Sequence, residues 1–102
     1  MRPRGALLLA LLTGLAHGST AAAQEPSALA APCAGCHALD AASVAVAPLP
    51  RLNERTAVWI YEQLQSYRQG EGEPTLMNRL VAGYTDVELK AIASVIGQGS
   101  IE

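Results

Sequence analysis

The sequence predicts a small all-α domain with three or four helices and long loops. Residues 56–69 and 85–96 carry apolar side chains at the spacing of an amphipathic helix, and a glycine follows each segment. No convincing alternation of apolar and polar residues indicates a strand, and no segment is repeated. A chain of 102 residues is the usual size of one domain.

Residues 1–23 have the composition of a secretory signal peptide. Arg2 and Arg4 give a basic start, residues 6–16 are rich in leucine and alanine, and three alanines at 21–23 form a cleavage site of the A-x-A type. The apolar run is too short to span a bilayer, and an uncleaved membrane anchor is the alternative. We therefore expect export to the periplasm, cleavage between positions 23 and 24, and a mature domain of residues 24–102 without a membrane span.

This mature domain is small and mildly acidic. Cleavage would leave 79 of the 102 residues, with five of the seven basic side chains and all nine acidic ones, for a formal charge of −4. The negative charge argues against nucleic acid as a partner. A domain of this size is close to the lower limit for a self-sufficient core, and the chain has no phenylalanine. We therefore expect a large apolar body other than a side chain in its middle.

The first part of the mature chain predicts little regular structure. Residues 24–31 are an alanine-rich lead-in that suits a short first helix. Pro32 has no amide hydrogen and suits the first turn of a new or kinked helical segment. Residues 38–52 lack a period and contain Pro48 and Pro50 near their end, which indicates an extended loop.

Two stronger helices follow. The segment 56–69 has an apolar face, and Gly70 is expected to end it. That face consists of Trp59, Ile60, Leu64 and Tyr67. Residues 71–78 are expected to form a polar loop that carries Met77. A capping box of Thr85 and Glu88 opens a last helix that ends before Gly97. Its apolar face consists of Leu89, Ile92, Val95 and Ile96.

Cys33, Cys36 and His37 form a C-x-x-C-H motif that contains both cysteines of the chain. In an exported protein this motif is typical of a c-type haem attachment site. Each thiol then forms a thioether to a haem vinyl group, and the imidazole is an axial ligand of the iron. We predict one haem c per chain, held covalently by Cys33 and Cys36, with His37 on the iron.

Three other uses of the two cysteines fit the sequence less well. A thioredoxin-like dithiol needs a βαβ scaffold, whereas the pattern here is helical. A zinc site needs four ligands, and His37 is the only histidine after residue 23. A structural disulfide between positions three apart closes a very small loop and would stabilise the fold little.

The second axial ligand is predicted from the donors that remain. Met77 is the only methionine after residue 23, and its thioether is a good ligand for haem iron. The alternative is that Met77 fills the core, which would leave an open iron suited to gas binding or peroxide chemistry. Lys90, the only lysine, is expected as a solvated charge on the polar side of the last helix.

Further residues are candidates for a place near the haem. The carbonyl of Pro50 or Pro48 is expected to accept a hydrogen bond from the far nitrogen of His37 and to fix the ring. Alternatively, both prolines only stiffen the loop. Trp59 is expected in the core rather than in electron transfer. The candidates for a hydrogen bond to a haem propionate or to the methionine sulfur, with packing as the default, are Tyr61, Tyr67 and Tyr84. The candidates for pairing with the propionates, with solvation as the default, are Arg51, Arg55 and Arg79.

From residue 33 to residue 97 the chain resembles the class I cytochromes c, and within them the bacterial cytochrome c4-like group. The matching positions are Cys33 to His37, Pro50 to Leu52, Gln63 with Leu64, Tyr67 to Gly70, and Met77. The resemblance implies a small fold of helices and loops wrapped around one haem, with Met77 as the axial methionine. It also implies electron transfer without bond chemistry by this chain alone.

Residues 75–80 and 82–86 are similar to the cytochrome subunit of flavocytochrome c sulfide dehydrogenases. This narrower resemblance implies a flavoprotein subunit that oxidises sulfide and passes electrons to this chain, which hands them to a soluble acceptor protein. A free carrier for another dehydrogenase or an oxidase is the alternative. A haem enzyme or gas sensor with an open iron is a hypothesis from a different class.

Overall fold

The predicted all-α fold is confirmed. A computed structural model describes residues 24–40 and 49–102. Its elements are α1 (Pro26–Ala30), a 3₁₀ helix (Ala31–Gly35), α2 (Ala57–Gln69), α3 (Leu76–Val81) and α4 (Asp86–Ile96). Within the described ranges the only β-type pairing is an isolated bridge between Thr56 and Gln98. The predicted signal peptide and residues 41–48 of the predicted extended loop, with Pro48, lie outside these ranges.

The short helix α1 continues directly into the 3₁₀ helix. Pro32 stands at the start of the 3₁₀ helix, where its missing amide hydrogen leaves no bond unmade. Leu29 and Ala30 are buried, whereas the 3₁₀ helix itself has no buried residue. The chain therefore brings both cysteines to the surface of the core as α1 ends.

Helix α2 has the predicted bounds and a cap at each end. The Thr56 side chain accepts a hydrogen bond from the Trp59 amide at 3.1 Å. At the other end Gly70 adopts the left-handed conformation with φ of 73°, which glycine reaches without a steric penalty. The amide of Glu71 then donates to the Ser66 carbonyl at 3.0 Å, which closes the last turn.

Helix α3 corrects the predicted loop of residues 71–78. The loop ends at Thr75, and Met77 lies in the first turn of a six-residue helix. Thr75 and Asn78 form a capping box, with Asn78 in the place where glutamate or glutamine is usual. The Thr75 amide donates to Asn78 Oδ1 at 2.7 Å, and the Met77 amide donates to Thr75 Oγ1 at 3.1 Å.

Helix α4 begins and ends where the sequence predicts. The Glu88 amide donates to Thr85 Oγ1 at 3.2 Å, and the Thr85 amide donates to Glu88 Oε2 at 2.7 Å, so the predicted capping box is present. None of the helices in residues 24–40 and 49–102 has both the length and the apolar character needed to cross a bilayer.

The core is formed where α4 packs against α1 and α2, and α3 packs on α2. Its buried members are Leu29, Ala30, Ile60, Leu64, Val81, Leu89, Ile92, Ala93 and Ile96. Three residues predicted on apolar faces are not among them. Tyr67 is half-buried and packs against the core from outside. Val95 is 47 % exposed, and Trp59 is 37 % exposed, with the Arg55 guanidinium 4.9 Å from the centre of its ring. The Trp59 indole packs on a neighbouring cation instead of the core, which leaves the core without a large aromatic residue.

Candidate cofactor site

A cavity of about 370 Å³ lies against the core, within the size range of roughly 300–1,000 Å³ that is usual for cofactor sites. Its apolar walls come from α2, α3 and α4, and from Leu49 and Leu52 of the segment before α2. The wall residues on the helices are Ile60, Leu64, Leu76, Leu80, Val81, Leu89, Ile92 and Ile96. The cavity therefore offers a large apolar ligand a place that side chains do not fill.

Cys33, Cys36 and His37 all line this cavity. The amides of Cys36 and His37 both donate to the Cys33 carbonyl, at 3.2 and 2.9 Å, so the motif forms one tight turn. Cys33 is half-buried and burial raises the pKa of its thiol, whereas Cys36 is exposed. The two sulfur atoms are not joined in a disulfide. The turn thus presents two sulfur atoms and one imidazole to the same space.

His37 is 9 % exposed, and its ring orientation is fixed by Pro50. Its Nδ1 lies 2.8 Å from the Pro50 carbonyl oxygen. A carbonyl oxygen only accepts hydrogen bonds, so Nδ1 carries the hydrogen, and in the neutral ring the lone pair is on Nε2. This is the contact that the sequence analysis expected of Pro50 or Pro48. The imidazole is therefore held in the tautomer that can bind a metal through Nε2.

Met77 lines the same cavity from α3 and is half-buried there. The capping box fixes the first turn of α3, and Asn78 Nδ2 also donates to the Tyr67 carbonyl at the end of α2, at 2.9 Å. Asn78 therefore ties the turn that carries Met77 to a second helix. Sequence reasoning did not identify Asn78, although the T-x-x-N spacing from Thr75 is a usable signal for a cap.

The remaining candidates lie in different places. Tyr84 lines the cavity. Tyr61 instead donates to Asp86 Oδ2 at 2.8 Å, between α2 and α4. Arg51 pairs with Glu54 at 3.2 Å and donates to the Asp40 carbonyl at 3.1 Å. Tyr67 is half-buried against the core, and Arg79 is exposed.

Two cations in this group are engaged elsewhere. Arg55 lies over Trp59, and Lys90 Nζ donates to the Glu102 carbonyl at 3.3 Å. Neither of them lines the cavity. The expectation that Lys90 is a surface charge agrees with this position.

The donor set fits a haem better than the alternatives. Haem c needs two thiols at this spacing, an imidazole and an apolar pocket, and a thioether on the second side suits its iron. Residues 24–40 and 49–102 contain no group of three or more His, Cys, Asp or Glu side chains that could hold a metal ion by themselves. The same part of the chain contains no sheet for a thioredoxin-like dithiol. The cavity and its donors therefore define the site of a c-type haem protein.

Comparison with known proteins agrees with that class. The chain is 30 % identical over 96 residues to cytochrome c-553 of Nitratidesulfovibrio vulgaris. This match covers 90 % of the chain and 94 % of the relative. It is 34 % identical over 94 residues to the thiosulfate dehydrogenase electron acceptor of Stutzerimonas stutzeri, and 29 % identical over 68 residues to cytochrome c4 of Pseudomonas aeruginosa. The chain belongs to the class I c-type cytochromes, with a covalently bound haem c as cofactor.

The match to the two longer relatives is partial. It covers 89 % of this chain but 43 % of the electron acceptor, and 63 % of this chain but 34 % of cytochrome c4. The chain thus spans less than half the length of these relatives. No family model and no solved structure matches it.

Proposed function

We propose that this chain is an exported electron carrier with one haem, in which Cys33 and Cys36 hold the porphyrin and His37 Nε2 and Met77 Sδ are the axial ligands. Attachment would add the thiol hydrogen and the sulfur of each cysteine across one vinyl double bond, so it would need no oxidant. The observation that carries the proposal is that all four side chains line one apolar cavity, with His37 Nδ1 already bonded to Pro50.

The two axial ligands give the site its role. Haem iron supplies the reversible transfer of one electron. With haem bound, His37 and Met77 would both hold the iron, which would raise the reduction potential and leave no position for a substrate. The apolar walls exclude water, so the surroundings of the iron need little rearrangement when its charge changes. These residues therefore favour a carrier over an open-iron enzyme or sensor.

An absorption spectrum of the purified holoprotein tests this ligand set. A His/Met carrier shows the methionine-dependent charge-transfer band in the red when oxidised, and does not bind carbon monoxide readily when reduced. An open-iron enzyme or sensor lacks the band and binds carbon monoxide at once. That second result would remove Met77 from the site.

Export follows from residues 1–23 as a cleaved signal peptide, with residues 24–102 as the mature cytochrome in the periplasm. The support is the composition of that stretch and the presence of haem c. Mass spectrometry of the native protein tests it, because the mature chain should begin at Gln24 and carry one haem. A protein that retains residues 1–23 would instead be an anchored form.

The proposed partner is a dehydrogenase that oxidises an inorganic sulfur compound. The resemblance of residues 75–80 and 82–86 supports a sulfide-oxidising flavoprotein subunit as electron donor and a soluble protein as acceptor. The relative from Stutzerimonas stutzeri is named for thiosulfate dehydrogenase, which supports thiosulfate oxidation as the second candidate.

Gentle purification from the native periplasm distinguishes these partners. A co-eluting flavin subunit and haem reduction on addition of sulfide would support the flavocytochrome. Reduction by thiosulfate, with a dehydrogenase present and no flavin, would support the second candidate. A haem protein that elutes alone and stays oxidised with both compounds is a free carrier for another dehydrogenase or an oxidase.

A further inference from the structure

The segment 49–55, here called the Pro50 segment, connects the haem motif with α2. On one side it is bonded to the residues that follow the cysteines. The Pro50 carbonyl accepts the hydrogen of His37 Nδ1 at 2.8 Å, and the Leu52 amide donates to the Ala38 carbonyl at 3.1 Å. These two bonds place the segment beside the imidazole.

On its other side the Pro50 segment is bonded to Gln98, which follows α4. The Gln98 amide donates to the Arg55 carbonyl at 2.9 Å, and Gln98 Nε2 donates to the Asn53 carbonyl at 3.1 Å. The Gln98 carbonyl accepts from the Ala57 amide at 2.8 Å. One residue near the end of the chain therefore makes three hydrogen bonds to the stretch around the start of α2.

The close contact between the chain after α4 and the start of α2 depends on Gly97. A Cβ atom added to Gly97 would collide with the backbone of Ala57, whereas no such conflict exists at Gly83. The backbones of the chain end and of the α2 start thus lie in direct contact. Gln98 is held where its side chain reaches Asn53.

The Pro50 segment needs such anchors, because it has no helix or strand of its own. Its internal contacts are a turn, in which the Arg55 amide donates to the Leu52 carbonyl at 3.0 Å, and the ion pair of Arg51 with Glu54 at 3.2 Å. Neither contact involves the Pro50 carbonyl. The place of the Pro50 carbonyl is therefore set by the bonds at the two sides of the segment. If the hydrogen bonds to Gln98 were lost, only the bonds next to His37 would hold the Pro50 segment.

We propose that Gln98 is a positioning residue for His37, which acts through the Pro50 segment on the hydrogen bond of Nδ1. An acceptor at Nδ1 raises the basicity of Nε2 and favours the oxidised iron. Gln98 therefore lowers the reduction potential of the haem. This inference rests on the proposed role of His37 as axial ligand.

The test compares Gln98→Met, which keeps the length of the side chain but has no donor, with Gln98→Lys, which restores one. In the reduced holoprotein, we expect Gln98→Met to speed solvent exchange of the His37 Nδ1 hydrogen about two- to tenfold, the factor that corresponds to one ordinary hydrogen bond. Its reduction potential should rise. Gln98→Lys should return both quantities toward the wild-type values, measured at high salt to screen the added charge.

Tyr61→Phe is the matched control, because it removes a hydrogen bond between α2 and α4 that does not involve the Pro50 segment. It should leave the exchange of the His37 hydrogen and the potential unchanged. Equal effects of Gln98→Met and Tyr61→Phe would mean a loss of general stability and overturn the inference. No effect of Gln98→Met on exchange or potential would also overturn it. The spectrum of the wild-type holoprotein tests the proposed function separately. If it showed that His37 is not bound to the iron, the proposed function itself would be refuted.

Discussion

Met77 is the residue whose role is predicted from the sequence by elimination and whose surroundings only the structure describes. It is half-buried at the edge of the cavity, among Leu76 and Leu80, which are largely exposed. A methionine that only filled space would be replaceable by another apolar residue. A ligand would not.

Met77→Ala is therefore expected to abolish the methionine-dependent red band of the oxidised protein. The reduction potential should fall by a sizeable part of the roughly 0.8 V over which axial ligands set haem potentials. Redox titration and absorption spectra measure both. Leu80→Ala, which changes the same wall without a donor, should keep the band, and its loss there would point to packing rather than ligation.

Asp86, Tyr61 and Gln65 form a hydrogen-bonded group on the surface between α2 and α4. Gln65 Nε2 donates to Asp86 Oδ1 at 2.8 Å, and the Tyr61 hydroxyl donates to Asp86 Oδ2. These hydrogen bonds, first from Gln65 and then from Tyr61, lower the pKa of Asp86 below its ordinary value of 3.8. The bond to Asp86 raises the pKa of Tyr61 above its ordinary value of 10.0.

The two shifts predict opposite pH limits for the contribution of this group to stability. The Asp86 contribution is complete above pH 3.8 and is lost as the pH falls through the lowered pKa. The Tyr61 contribution is complete below pH 10.0 and is lost as the pH rises through the raised pKa. The free energy of unfolding, measured with denaturant, should depend less on pH in the acid range for Asp86→Asn. For Tyr61→Phe it should depend less on pH in the alkaline range. Unchanged slopes in both variants would contradict this account.

Single residues can be predicted from the sequence where the chemistry leaves few choices. Two cysteines, one histidine and one methionine after residue 23 make the donor set nearly unique. Prediction from the sequence fails for Trp59, because helical spacing does not reveal that Arg55 offers the indole a partner outside the core. Asn78 was missed because its bond to the Tyr67 carbonyl depends on the tertiary fold.

At the scale of elements, α3 is the helix that periodicity could not find. Six residues are too few for an apolar pattern to show, and the preceding loop is rich in glycine, proline and charge. Helix α3 depends on its cap more than the longer helices do, because a short helix is marginal by itself. The position of Met77 therefore depends on Thr75.

Thr75→Ala should lower the free energy of unfolding by about 1 kcal/mol, the usual cost of a lost N-cap. It should also weaken the red band, since the first turn of α3 carries Met77. Thr85→Ala is the matched variant, because Thr85 caps α4 in the same manner but at a distance along the chain from Met77. It should lower stability by a similar amount and leave the band intact. Equal loss of the band in both variants would show that the cap of α3 has no special role.

The start of α2 is expected to be intolerant of bulk at Gly97. Gly97→Ala places a methyl group against the Ala57 backbone and should cost roughly 1–3 kcal/mol, as overpacking does. Gly83→Ala meets no atom within 4 Å and should change stability by less than about 0.5 kcal/mol. Thermal unfolding of the two holoproteins measures the difference. Similar midpoints would mean that the chain end relaxes away from α2.

At the scale of the whole molecule, the cavity is large for so small a core. Its volume is about 370 Å³, and its walls are almost wholly apolar. Without a bound ligand these walls would face water, which costs free energy in proportion to their area. The chain has no phenylalanine, and in the structure this cavity lies where large apolar side chains would otherwise fill the core. The need for a central apolar body was therefore predictable from the sequence. The walls of the cavity were not, because they come from segments distant in sequence.

A Cys33→Ser, Cys36→Ser double variant, which cannot attach haem covalently, is expected to lose its cooperative unfolding transition. Circular dichroism with denaturant measures this, and added free haem should restore part of the helix signal by binding the folded state. A double variant that unfolds cooperatively at the wild-type midpoint without haem would show that side chains close the cavity.

The contact between α1 and α4 joins the two ends of the described chain across about 55 intervening residues. Closing a loop of that length costs roughly 3.5 kcal/mol of chain entropy, which local helix formation does not offset. Folding of this domain should therefore be slower than that of a helical bundle with short-range contacts only. A link that shortens this search, such as a flexible tether between the two ends, would accelerate folding without any change to the electron-carrying site.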